Sequence, residues 1–257
     1  VMVQPVQAFA NTKEVIKVKS KRGVSIPFLL TVPDNPKASV ILFIGGNGLL
    51  KLSSSGDIRE GKNIFLAREY KKFADQGFMV ALVDVASDMK ESKGTFRISD
   101  DHANDIFAVI DYLRKKADIP IWLVGTSMGS FSAASVGIKK QQLVAGIVLT
   151  SSVTRPAEEK SLKKLTAKLP DGVASLNLNK FKKPALIVSH AEDNCKASPP
   201  ADAAKLKSKL SNSPRVEVVL LKGGKARKSG ECEGLAKHGF YGIEMDAVKA
   251  IADFIKK

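Results

Sequence analysis

The chain has 257 residues, 44% hydrophobic and 26% charged, with 41 Lys and Arg against 26 Asp and Glu and a formal charge of +15. This length can bury one large core, the composition is not that of a disordered polymer, and no apolar run reaches the roughly 18–20 residues that span a bilayer. The lysines are scattered (Lys17, Lys19 and Lys21, then Lys163 and Lys164, then Lys182 and Lys183) and aromatics are only 6%; this argues against a dedicated nucleic-acid stripe and for a solvated basic surface that weakly steers anionic ligands.

Ala8-Phe9-Ala10 has the small-x-small form of a secretory cleavage site and is followed by polar Asn11-Thr12-Lys13. Neither a basic leader region nor a full apolar stretch accompanies it, so residues 1–10 are expected to be a signal remnant or a frayed terminus, ahead of a single domain over 11–257. Ile16 and Val18 alternate with lysines, and Ile26, Phe28, Leu30 and Val32 alternate after them. Both segments read as half-exposed antiparallel strands at one edge of a sheet. Continuous apolar runs follow at Val40–Ile44, Met79–Val83, Ile121–Val124, Val144–Leu149, Ala185–Val188 and Val216–Leu221, as parallel strands buried on both faces require.

Helical patterns lie between them. One carries Ile64, Leu66, Ala67, Tyr70 and Phe73 and stops before Gly77; another starts at the capping cluster Ser99-Asp100-Asp101. Others run from Ser127 towards Lys140, over Ala201–Leu210, and through Val248, Ile251, Ala252 and Ile255. Two antiparallel strands followed by repeated β-α units predict an α/β fold, a mostly parallel sheet with helices on both faces. The lysine-rich stretch 154–183, with Pro156 and Pro170, breaks this rhythm and is too short for a core of its own, so it reads as a small cap or lid excursion.

Gly125-Thr126-Ser127-Met128-Gly129 matches G-x-S-x-G, a pattern that a chain of this length shows by chance about one time in ten. Its context is more specific: the motif directly follows the strand Ile121-Trp122-Leu123-Val124 and opens a helix carrying Phe131, Ala133, Ala134 and Val136. A nucleophile on such an elbow sits in a strained turn, needs small neighbours two residues either side, and has a helix N-terminus behind it to favour negative charge. Ser127 is therefore the candidate nucleophile.

Three histidines limit the search for a base. In elbow hydrolases the partners follow in the order Ser, acid, His. Only His238, in a glycine-flanked loop after the last strand, can come third. Asp193 follows the strand Ala185–Val188 and is the candidate acid, with Glu192 its competitor. His190 shares that short loop and reads as structural or pocket-lining, and His102 as a helix-start or site-rim residue. Ile44-Gly45-Gly46-Asn47-Gly48 ends the first parallel strand. The N–H of Met128 is expected to supply one oxyanion donor and Gly46 or Asn47 the other, the choice between them staying open. The neighbouring Leu49-Leu50-Lys51-Leu52 either lines the pocket or forms a flap.

On these motifs, with His238-Gly239-Phe240, the chain resembles the α/β-hydrolase superfamily over nearly its whole length. The resemblance implies an eight-stranded sheet, acyl-enzyme chemistry and no cofactor; no metal site is expected either. Ile44 stands where many members carry a histidine before the oxyanion glycine, so their loop geometry does not transfer. The chain is also similar to exported bacterial members with a cysteine just after the acid and another shortly before the histidine, here Cys195 and Cys232. A bridge between them would hold the acid and base loops together and would need an oxidising, periplasmic or extracellular compartment; unlinked thiols are the alternative. The expected activity is hydrolysis of a carboxylic ester or related small acyl substrate. A peptidase or acyltransferase using the same triad, and a non-catalytic binding protein on a hydrolase scaffold, are the competing readings.

Overall fold

The computed structural model describes residues 12–92, 94–156, 165 and 167–257; the proposed cleavage-site remnant lies outside these. Eight strands form one sheet in the order β1-β2-β4-β3-β5-β6-β7-β8. They are β1 (Thr12–Lys19), β2 (Ser25–Val32), β3 (Ala38–Phe43), β4 (Phe78–Val83), β5 (Ile121–Thr126), β6 (Gly146–Thr150), β7 (Ala185–His190) and β8 (Val216–Leu221). The β1–β2 and β2–β4 pairs are antiparallel and all the others parallel. The helices bounded within the described residues are α1 (Phe65–Asp75), α2 (Gly94–Arg97), α3 (Asp100–Lys116), α4 (Gly129–Lys139), α5 (Ala203–Lys209) and α6 (Glu244–Ile255). No helix among the described residues is long and apolar enough to cross a membrane.

The unbroken apolar runs have a direct cause. Alternate residues of each inner strand feed two separate cores: Ile41 and Leu123 face α3, α4 and α5, whereas Val40, Leu42, Trp122 and Val124 face α1 and α6. With both faces covered, no position along β3 or β5 can be polar at low cost, and each fully buried Leu, Ile or Phe contributes roughly 1.5–3 kcal/mol. Helix α3 begins where its capping cluster requires: Ser99 Oγ accepts the His102 N–H at 3.0 Å, with Asp100 and Asp101 in the first turn.

Two strand readings are corrected. β2 is not at an edge: it pairs with β4 as well as β1, and Phe28, Leu29 and Leu30 are fully buried. β8 is the opposite edge, half-buried along its length with Leu220 exposed, rather than covered on both faces. Strand order decides both, and strand order is not a local property of sequence. β5 and β7 also run two residues further than their apolar runs, because Gly125 and Thr126 pair with β6 and Ser189 and His190 with β8.

Of the excursion 154–183, residues 157–164 and 166 lie outside the described residues. Much of the remainder is packed against the domain: Leu165, Val173, Leu178 and Phe181 are buried in the core on the α4 face, and Arg155 is ion-paired with Asp202.

Candidate active site

Ser127 sits between β5 and α4 with φ 51°, in the left-handed region, which a non-glycine residue occupies at a cost and which recurs at functional turns. Its N–H donates to the Thr150 carbonyl at 2.9 Å. The motif glycines are steric necessities: a Cβ on Gly125 would lie 2.3 Å from the Gly129 carbonyl oxygen, and one on Gly129 would lie 2.0 Å from that of Phe43.

Asp193 follows β7, its N–H bonded to the His190 carbonyl. Its two carboxylate oxygens have separate duties. Oδ1 accepts the Cys195 N–H at 2.9 Å, and Oδ2 accepts from His238 Nδ1 at 2.8 Å. Both side chains are almost wholly buried. His238 is held through its backbone as well, since Ser151 Oγ donates to its carbonyl at 2.8 Å. With Nδ1–H donating to Asp193, Nε2 is the ring atom left to accept a proton, and it is buried with no hydrogen-bond partner among the described residues. Ser127 and His238 line the same cavity of about 260 Å³.

The other candidates for acid and base have different contacts. The Glu192 side chain pairs with Lys237, not with His238. In His190, Nδ1 accepts the Glu192 N–H at 3.0 Å and Nε2 meets the Gly223 carbonyl at 2.9 Å. That ring bridges the loop after β7 to the segment after β8. His102 is buried in the first turn of α3, edge-on to Phe43 and Phe96. Burial, then the neighbouring Arg97 and Arg22 charges, push its pKa down to about 3; it borders a second, small cavity rather than the one with Ser127.

The glycine turn after β3 closes through Gly48 N–H on the Gly45 carbonyl at 3.2 Å, with Gly46 at φ 56°. Gly45 and Gly46 line the Ser127 cavity, whereas the Asn47 side chain accepts the Leu49 N–H. Leu49–Leu52 is not arranged as a flap. Leu50 is fully buried in the core, and Asp84 accepts the N–H groups of Leu50 and Leu52 at 2.7 and 3.0 Å.

Two further cavity walls are Asn63–Phe65 at the start of α1, and Ser229 with Cys232–Leu235 ahead of the histidine; of these the sequence marks only Ile64, in a helical pattern, and Cys232. Arg68 joins them, donating to the carbonyls of Gly234 and Gly239 at 3.0 and 2.9 Å and pairing with Glu244. Cys195 and Cys232 form a disulfide with Cα atoms 4.7 Å apart, fastening the wall containing Cys232 to the acid loop. The bridge closes a loop of 37 residues, for which lost chain entropy in the unfolded state corresponds to about 4 kcal/mol. Cys195→Ser with Cys232→Ser is therefore expected to lower the urea midpoint markedly; an unchanged midpoint would mean the two loops are held without it.

Residues 65–197, just over half of the chain, match the Hydrolase_4 family model, described as serine aminopeptidase, S33. No curated protein matches significantly by sequence. Among solved structures, the esterase Pf2001 of Pyrococcus furiosus aligns with a TM-score of 0.68 at 15% identity, over 99% of this chain and 95% of that one. Est1E from Butyrivibrio proteoclasticus aligns at 0.61 and 15%, over 94% and 97%. A dienelactone hydrolase from Anabaena variabilis aligns at 0.61 and 14%, over 96% and 97%. At these identities the likeness is one of fold.

Proposed function

Since the chain belongs to the Hydrolase_4 family of serine hydrolases, with the α/β-hydrolase fold, we propose that it cleaves a carboxylic ester or related acyl substrate through a Ser127 acyl-enzyme. The observation that carries this reading is the His238 ring: Nδ1 is committed to Asp193 at 2.8 Å, and Nε2 is unpartnered beside a cavity that Ser127 also lines. In the proposed cycle Ser127 Oγ adds to the substrate carbonyl carbon while His238 Nε2 takes its proton. The oxyanion is met by the N–H of Met128 and that of Gly46, preferred over Asn47 because Gly46 lines the cavity. Collapse expels the leaving group with the proton from His238. Water then repeats the addition, and the acid product leaves with Ser127 regenerated. Asp193 keeps the ring in the required tautomer and stabilises the imidazolium.

An oxidising compartment, periplasmic or extracellular, fits the Cys195–Cys232 bridge. The same machinery also cleaves amides, and the family description makes an aminopeptidase the second reading. Comparing p-nitrophenyl esters with aminoacyl p-nitroanilides separates the two.

The direct test is labelling with a fluorophosphonate followed by intact mass. The parent protein is expected to gain one adduct, with none on Ser127→Ala and little on His238→Ala. A folded parent that stays unlabelled would make the protein a binding scaffold instead.

A further inference from the structure

Arg97, at the end of α2, is 2% exposed, and no carboxylate bonds it among the described residues. Burial pushes its pKa down to about 10. Asp84 and Asp105 border the same small cavity but are engaged elsewhere. Asp84 accepts the Leu50, Leu52 and Val85 N–H groups, and Asp105 is paired with Arg22. Among the described residues, Arg97 Nε has no hydrogen-bond partner. Burying a cation this way costs several kcal/mol, and an apolar side chain of similar volume would be no worse for stability. Stability alone therefore gives no reason for a guanidinium here.

Its contacts supply one. Nη2 donates to the Gly46 carbonyl at 3.2 Å, and Nη1 donates to Ser132 Oγ on α4 at 3.1 Å. Gly48 packs so closely that a Cβ there would lie 2.6 Å from Nη2. The guanidinium thus spans the two halves of the proposed oxyanion site, the Gly45–Gly48 turn and the helix that follows Met128. The same chain segment adds a second tie, Ser92 N–H to the Asn47 carbonyl at 2.7 Å.

We propose that Arg97 is a positioning residue, a buried strut that sets the Gly45–Gly48 turn against α4 for oxyanion binding. The inference rests on Ser127 being the acylated nucleophile. It predicts a loss that appears in turnover rather than in substrate binding or folding, because the turn's N–H is needed most in the transition state.

The experiment compares the parent, Arg97→Met, Arg97→Lys and Ser127→Ala on p-nitrophenyl acetate, with thermal melts of each. Arg97→Met is expected to lower kcat on the order of tenfold or more, short of the roughly 10²–10³ that loss of an oxyanion donor itself costs. KM should stay within about twofold and the melting temperature should hold or rise. Arg97→Lys should recover part of the rate. Unchanged kcat in Arg97→Met, or a fall that tracks a lowered melting temperature and is not relieved by Lys, overturns the proposal. A parent no faster than Ser127→Ala overturns the acyl-enzyme reading and this inference with it, whereas a fast parent matched by Arg97→Met removes the role of Arg97 alone.

Discussion

Asp193→Asn is expected to lower kcat for ester hydrolysis by roughly four orders of magnitude while leaving the protein folded. The reason lies in the divided carboxylate. Oδ1 must go on accepting the Cys195 N–H at 2.9 Å, so the amide oxygen of Asn will occupy that side. Its NH2 group then faces His238 Nδ1, where Oδ2 accepted at 2.8 Å. A donor there forces Nδ1 to accept, moves the ring proton to Nε2, and removes the lone pair that should take the Ser127 proton. Steady-state turnover alongside circular dichroism checks this. A loss smaller than about tenfold would mean that another group orients His238, and the acid assignment would be wrong.

Gly129→Ala should be among the most damaging single-methyl changes in the chain. The added Cβ would lie 2.0 Å from the Phe43 carbonyl oxygen and 2.8 Å from that of Ile44, both main-chain atoms that no rotamer change can move. To admit it, α4 must retreat from β3, opening the core packed around the fully buried Phe131, Ala133 and Ala134. Overpacking against side chains typically costs 1–3 kcal/mol; against main chain at the centre of a sheet, about 4 kcal/mol or more is expected. In a domain of this size that is a fall in melting temperature on the order of 10 °C. A fall of under about 3 °C would show that the elbow does not depend on this approach.

The legible parts of the fold were those in which local pattern and tertiary role coincide. The strand Ile121–Val124, the glycines around Ser127 and the apolar face of α4 are adjacent in sequence and in space, so one motif specified all three. The contact between Asp193 and His238 was reachable because the loops after the parallel strands β7 and β8 emerge at the same end of the sheet. Burial of β2 and exposure of β8 were not legible, since each depends on which strand lies next to it. The cavity walls at Asn63–Phe65 and Ser229–Leu235 were not legible as walls, because they meet only through tertiary contacts, those of Arg68 and the disulfide. Arg97 was invisible for a different reason. A lone arginine on a four-residue helix reads as solvated charge, and only the closed structure shows it behind the glycine turn.

The strand order has a metric consequence. Ser127 and Asp193 leave the sheet after β5 and β7, with β6 between them. At about 4.8 Å per strand, their points of departure are separated by roughly 10 Å. That gap is too wide for serine to meet carboxylate directly and about right for an imidazole ring between them. The sheet therefore acts as a ruler, and its middle mark is in use: Ser151, just after β6, donates through its Oγ to the His238 carbonyl. Moving the acid to the end of β6 would halve the span and displace the group that holds the histidine backbone in place. The separation of Ser127 from Asp193 is thus set by hydrogen-bonded main chain, and point substitutions in the loops can spoil it but cannot rescale it.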